Sequence, residues 1–137
     1  MRFGALGLLL LSACSEPPPD LGAGASLYAQ HCGACHGMKL EGQPSWQQRL
    51  ASGRMPAPPH DETGHTWHHT DEVLFGITKH GLVPPYAPPG YASDMPAFAG
   101  TLSDHEIRSV LAWIATHWKS RDVLEARAEM LRNTRKR

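Results

Sequence analysis

Two cysteines and a histidine stand at fixed spacing in Cys32-Gly33-Ala34-Cys35-His36. Two thiols three positions apart reach the two vinyl groups of one haem, and the adjacent histidine then meets the iron from the proximal side; the spacing is that of covalent c-type haem attachment. Three other chemistries use paired cysteines. A thioredoxin-like CxxC needs a surrounding βαβ pattern, which is not visible here. A zinc site needs further Cys or His ligands at knuckle spacing, and the three cysteines of the chain leave no second pair. A structural Cys32–Cys35 disulfide leaves His36 unexplained. One haem c per chain, bonded to Cys32 and Cys35 and ligated by His36, is therefore the expected cofactor.

Such a site must be positioned by helices and turns. Gly24, Tyr28 and Cys32 recur every four residues, the spacing of one helix face, and Asp20 is placed to cap that helix. A second helix opens at Thr70, with Asp71 and Glu72 at its positive end, Val73, Leu74 and Ile77 on its apolar face and Gly81 as its stop. A third opens at Ser103, where Glu106 completes a capping-box pattern and Ile107, Val110, Leu111, Ile114 and Trp118 follow at helical spacing. Thirteen glycines and twelve prolines in 137 residues require long loops between them. The length is that of a single domain. A formal net charge of zero and 19% charged residues exclude a polytopic membrane protein, a disordered acidic tail and a strongly basic nucleic-acid binder.

The order of these helices around the CxxCH motif resembles a class I cytochrome c domain over residues 21–118, an all-α, loop-rich fold of three to five helices around one covalently bound haem. The resemblance implies that the terminal helices cross, with Gly24 and Tyr28 against Val110 and Trp113. It implies a distal methionine on a loop before the last helix, and Asp94-Met95-Pro96-Ala97-Phe98, ending shortly before Ser103, matches that loop. Pro96 biases Met95 to extended backbone, which holds the thioether out from the loop. Met55-Pro56 is an alternative that also sits in a loop, nineteen residues after His36; Met38 is too close to His36 to reach the opposite haem face, and Met130 lies in the tail. The resemblance further implies a carbonyl partner for His36 in a proline region, expected at or near Pro44. Trp46, Trp67, Tyr86 and Tyr91 are the residues able to donate to haem propionates.

His60-Asp61-Glu62-Thr63-Gly64-His65-Thr66-Trp67-His68-His69 places four histidines and two carboxylates in ten residues. Three readings are open: a polar loop packed over the haem edge, a copper or zinc tract, since imidazole suits both metals, or a source of a histidine that replaces Met95 on the iron.

The ends of the chain carry separate signals. Met1-Arg2, an apolar run over residues 3–11 and Ser12-Ala13-Cys14 form an export signal, too short for the ~20 residues that span a bilayer. Leu11-Ser12-Ala13-Cys14 resembles the lipobox of bacterial lipoproteins. That resemblance implies a signal peptide over 1–13, a lipid on Cys14, a tether over 14–20 and, with Ser15 next, anchoring on the periplasmic side of the outer membrane. Residues 14–118 hold five basic and ten acidic side chains, whereas residues 119–137 hold seven basic and three acidic. This basic tail can continue as a helix with Val123, Leu124, Arg127, Met130 and Leu131 along one side, its Arg132–Arg137 end facing anionic lipid or an acidic partner; a solvated, frayed segment is expected over a docking element.

The expected function is single-electron transfer by a lipid-anchored monohaem cytochrome c, acting on redox protein partners as a carrier or as a redox subunit of a larger oxidoreductase. With His36 proximal and Met95 distal, a six-coordinate iron has no open position for substrate, so no enzymatic activity is expected. The alternatives are a peroxidase-like enzyme or ligand sensor with an open distal site, and a copper-handling protein using His60–His69.

Overall fold

Asp20 begins the first helix. In the computed structural model, which describes residues 16–136, its carboxylate accepts from the N–H groups of Gly22 (2.9 Å) and Ala23 (3.0 Å), two donors a helix start cannot satisfy internally. Helix α1, Leu21–His31, follows, and past Cys32 a single turn, α2, Gly33–His36, carries the second thiol and the histidine. A long loop containing one 3-10 turn, Thr66–His68, leads to α3, Asp71–His80; a second loop leads to α4, Asp104–Ala115, and then α5, Arg121–Thr134. No strand occurs among the described residues, in keeping with the all-α expectation. The signal segment, the lipobox and Cys14 lie outside the described residues.

The locally coded helix ends form as read. Thr70 accepts from the Val73 N–H (3.2 Å), and Gly81 closes α3 at φ 81°, where glycine bears no Cβ penalty. Both halves of the Ser103–Glu106 capping box are made.

Helices α1 and α4 meet backbone to backbone. A Cβ on Gly24 would lie 2.2 Å from the Ser109 carbonyl oxygen and 3.0 Å from Trp113 Cβ, so only hydrogen fits. The Asp20 N–H donates to Ser109 Oγ at 3.0 Å, and the buried Tyr28 ring packs 4.8 Å from that of Trp113. The expected crossing of Gly24 and Tyr28 with Val110 and Trp113 thus holds, with Ser109 as a partner that hydrophobic spacing passes over. Tyr28, Leu40, Leu74, Val110, Ile114, Trp118 and Val123 form one core cluster; Phe98, Leu102 and Ile107 form a second. Trp118 belongs to the core although it stands beyond the end of α4 at Ala115.

The tail forms the helix its spacing allows, but docked rather than solvated and frayed. Residues 121–134 form a docked helix: Val123 enters the core, and the Arg127 guanidinium donates to the carbonyls of Trp67 (2.9 Å) and His69 (2.7 Å), pairs with Asp71 and lies 4.8 Å over the Trp118 ring. Glu62 accepts from the backbone N–H groups of Lys119 and Ser120, which hold its carboxyl below the usual range. Solvation of the basic segment loses because Arg127 satisfies carbonyls of the 3-10 turn and stacks on an indole at once. The tether is likewise fastened to the body, through Glu16 paired with Arg108 at 3.2 Å.

Two glycines of α1 make this packing testable. Gly24→Ala is expected to lower unfolding stability by about 3 kcal/mol, the upper part of the overpacking range, because the obstacle is backbone. Gly22→Ala meets only Asp20 Oδ1 at 3.4 Å and is expected to be neutral or to stabilise by up to about 1 kcal/mol. Denaturant titration of both variants checks the contrast.

Candidate functional site

The loops and helices enclose a cavity of about 470 Å³, within the ~300–1,000 Å³ usual for ligand sites. Leu74 and Ile77 of α3, Val110, Leu111 and Ile114 of α4, and Phe98 give it aliphatic and aromatic walls. Cys32, Cys35, His36 and Met95 all line it, so the four residues singled out for the site are brought together.

The proximal side is held from two directions. Tyr28 Oη donates to the Gly37 carbonyl at 2.9 Å, fastening the end of the CxxCH turn to α1. His36 is buried, and its Nδ1 lies 2.8 Å from the Pro58 carbonyl. A carbonyl only accepts, so Nδ1 carries the proton and Nε2 keeps the lone pair available to a metal. The expected partner near Pro44 is corrected to Pro58: the loop returns to His36 only at the run Pro56–Pro59, a proline signal more distinctive than Pro44. Burial lowers the His36 pKa, opposed by this bond.

Cys32 and Cys35 are free thiols. Burial, and then the neighbouring Cys35, push the Cys32 thiol up to about 11, the opposite of the lowered pKa that activates a redox CxxC. The pair is therefore unlike a disulfide oxidoreductase centre.

Met95 is delivered by a pinned loop. Its N–H donates to Ser93 Oγ (3.0 Å), and just beyond it the N–H groups of Phe98 and Ala99 donate to the Thr78 and Lys79 carbonyls (3.1 and 3.0 Å), acceptors left open by the end of α3. Met55 lines the same cavity. The ion pair Arg54–Asp94 joins the residues preceding the two methionines, so Arg54-Met55-Pro56 and Asp94-Met95-Pro96 reach the cavity side by side. Met38 is 63% exposed and does not line the cavity.

Of the aromatic donors, Trp46, Tyr86 and Tyr91 line the cavity. Trp67 does not; its Nε1 donates to the Glu62 and Gly64 carbonyls (3.3 and 3.1 Å) and is unavailable to a cofactor. The histidine tract forms one wall, with His60, His65 and His69 on the cavity and His68 stacked on Trp67 at 3.7 Å. Among the described residues no group of three or more His, Cys, Asp or Glu side chains is arranged to hold a metal ion. The imidazoles of His60, His65 and His68 instead stack on the rings of His36, Trp46 and Trp67. Two thiols, an imidazole with one nitrogen already committed and a thioether, on apolar walls, are a donor set that fits haem c.

The profile of the family described as Cytochrome C oxidase, cbb3-type, subunit III matches residues 19–114, a span that includes all four site residues and stops before α5. No curated protein and no solved structure matches the chain.

The cavity histidines imply a pH dependence. Partial desolvation lowers the pKa values of His65 and His69 from the ordinary 6.5, reinforced by His68 beside His65 and by His65 and His68 beside His69. A histidine with a lower pKa folded than unfolded binds more protons when unfolded, so its contribution is complete above about pH 6.5 and declines as pH falls below it. Unfolding midpoints measured from about pH 7.5 down to 5.5 are expected to fall, and to fall less in a His65→Gln, His69→Gln variant.

Proposed function

Because the chain belongs to the family of cbb3-type cytochrome c oxidase subunit III, a domain with covalently attached haem c that transfers electrons, we propose that it carries single electrons through one haem held by Cys32, Cys35, His36 and Met95. The observation that carries this assignment is the convergence of these four side chains on one apolar cavity. Bound there, the haem supplies one-electron chemistry between ferric and ferrous iron. Cys32 and Cys35 provide the two thioether links. His36 offers Nε2 from the proximal side, oriented by the Pro58 carbonyl. Met95 would hold the iron through its thioether, a soft donor that, paired with imidazole, would favour the ferrous state and raise the potential. With His36 and Met95 both holding the iron, the chain would leave no position for substrate, which would separate a carrier from an enzyme.

Exposed Cys35 and the half-exposed Leu50 border the cavity, so the edge of a bound cofactor would be open to partners there. Transfer then needs only small, transient interfaces with redox proteins. The family's description favours a second role, docking within an oxidase complex. Among the described residues no helix is long and apolar enough to cross a membrane; the anchor we propose is a lipid on Cys14, supported by the Leu11–Cys14 lipobox, placing the domain on the periplasmic side of the outer membrane.

The optical spectrum of the haem-matured protein tests the ligand set. The oxidised wild type is expected to show the weak far-red band of a methionine–iron bond, lost in Met95→Ala and kept in Met55→Ala. The reverse pattern assigns the distal role to Met55. A high-spin ferric wild type without the band replaces the carrier with a peroxidase-like enzyme or ligand sensor. For the anchor, Cys14→Ser is expected to move the protein from the membrane to the soluble periplasmic fraction; retention on the membrane counts against a lipid at Cys14.

A further inference from the structure

We infer that His60 is a positioning residue for His36: its imidazole lies flat on the His36 ring and sets how that ring is turned within the cavity. The inference rests on the reading of His36 as the proximal ligand. The two rings stack with centroids 3.8 Å apart and planes 18° from parallel. The Pro58 carbonyl restrains His36 at Nδ1 only. A single hydrogen bond fixes a point on the ring; rotation about the line through that point and the metal-facing nitrogen needs a contact on the ring's face, and His60 supplies one.

His60 is itself held firmly enough to act as a template. Its N–H donates to the Leu40 carbonyl (2.9 Å), and its carbonyl accepts from Trp118 Nε1 (3.0 Å). Tyr28 meets its ring edge to face at 5.9 Å. Leu40 adopts φ 66°, a left-handed conformation costly for leucine, while its side chain stays buried and its carbonyl takes the His60 N–H. Nor does hydrogen bonding explain the residue type, since His60 Nδ1 is sealed from solvent without a partner. An aliphatic side chain would avoid that cost. What histidine provides here is a flat face.

The test uses full-length, haem-matured protein in the ferric state, read by the haem-methyl proton shifts and the low-temperature electron paramagnetic resonance spectrum, both sensitive to how axial ligands are turned about the iron. His60→Leu keeps bulk without a flat face; His60→Phe keeps the flat face without the nitrogens. The expected result is an altered order or spread of methyl shifts in the leucine variant and the wild-type pattern in the phenylalanine variant. Wild-type behaviour in both, or the same change in both, overturns the inference. Should neither variant mature, Trp118→Phe decides, since it removes the indole N–H on the His60 carbonyl while keeping an aromatic ring in the core and under Arg127: a smaller change supports the template and an unchanged pattern overturns it. A wild type lacking a low-spin, histidine-ligated signature is a different outcome, in which the assignment of His36 fails and takes this inference with it.

Discussion

The fold depends on one place where two backbones nearly touch. At Gly24, α1 comes so close to the Ser109 carbonyl that a methyl group has no room. Because the CxxCH turn follows α1 directly, the crossing sets where both thiols and His36 lie relative to α4, whose Val110, Leu111 and Ile114 form the opposite wall. Tyr28 transmits the placement, packing on Trp113 with its ring and holding the Gly37 carbonyl with its hydroxyl. The covalent attachment site is thus an extension of a helix crossing, and its geometry is only as good as that contact.

What could be read from residues alone was what short stretches of chain decide for themselves. Asp20, Thr70, Gly81 and the Ser103–Glu106 pair are end signals whose partners lie within four residues, and each forms as spacing requires. The four residues on the cavity were legible because CxxCH and the Met-Pro loop carry their chemistry in adjacent positions. Pro58 was not, because the length of an irregular loop determines which carbonyl returns to His36. Arg127 was hidden for a similar reason: its charge suggests solvent, and only the folded chain reveals carbonyls of Trp67 and His69 in need of a donor. His60 was read as one of four similar histidines, although its backbone bonds to Leu40 and Trp118 set it apart.

The paired loops at Arg54–Asp94 show how one surface ion pair can organise an interior. Its direct contribution to stability is small, as for most exposed pairs. Its structural effect is larger, since it joins two segments that each turn a methionine and then a proline toward the cavity. Whichever thioether reaches the metal, the other remains close by as part of the wall.

The histidine wall also has a place in time. The Trp118–His60 and Arg127–Trp67 bonds span 58 and 60 residues, and Asp20 reaches Ser109 across 89. Closing loops of that size carries an entropic cost that local turns do not. The CxxCH segment lies far ahead in the chain of its helix partner in α4, and the histidine wall is fastened only by Trp118 and by Arg127 of α5. The thiols accordingly precede in the chain the segments that close around them, and the tight environment around His36 is complete only once α5 has docked.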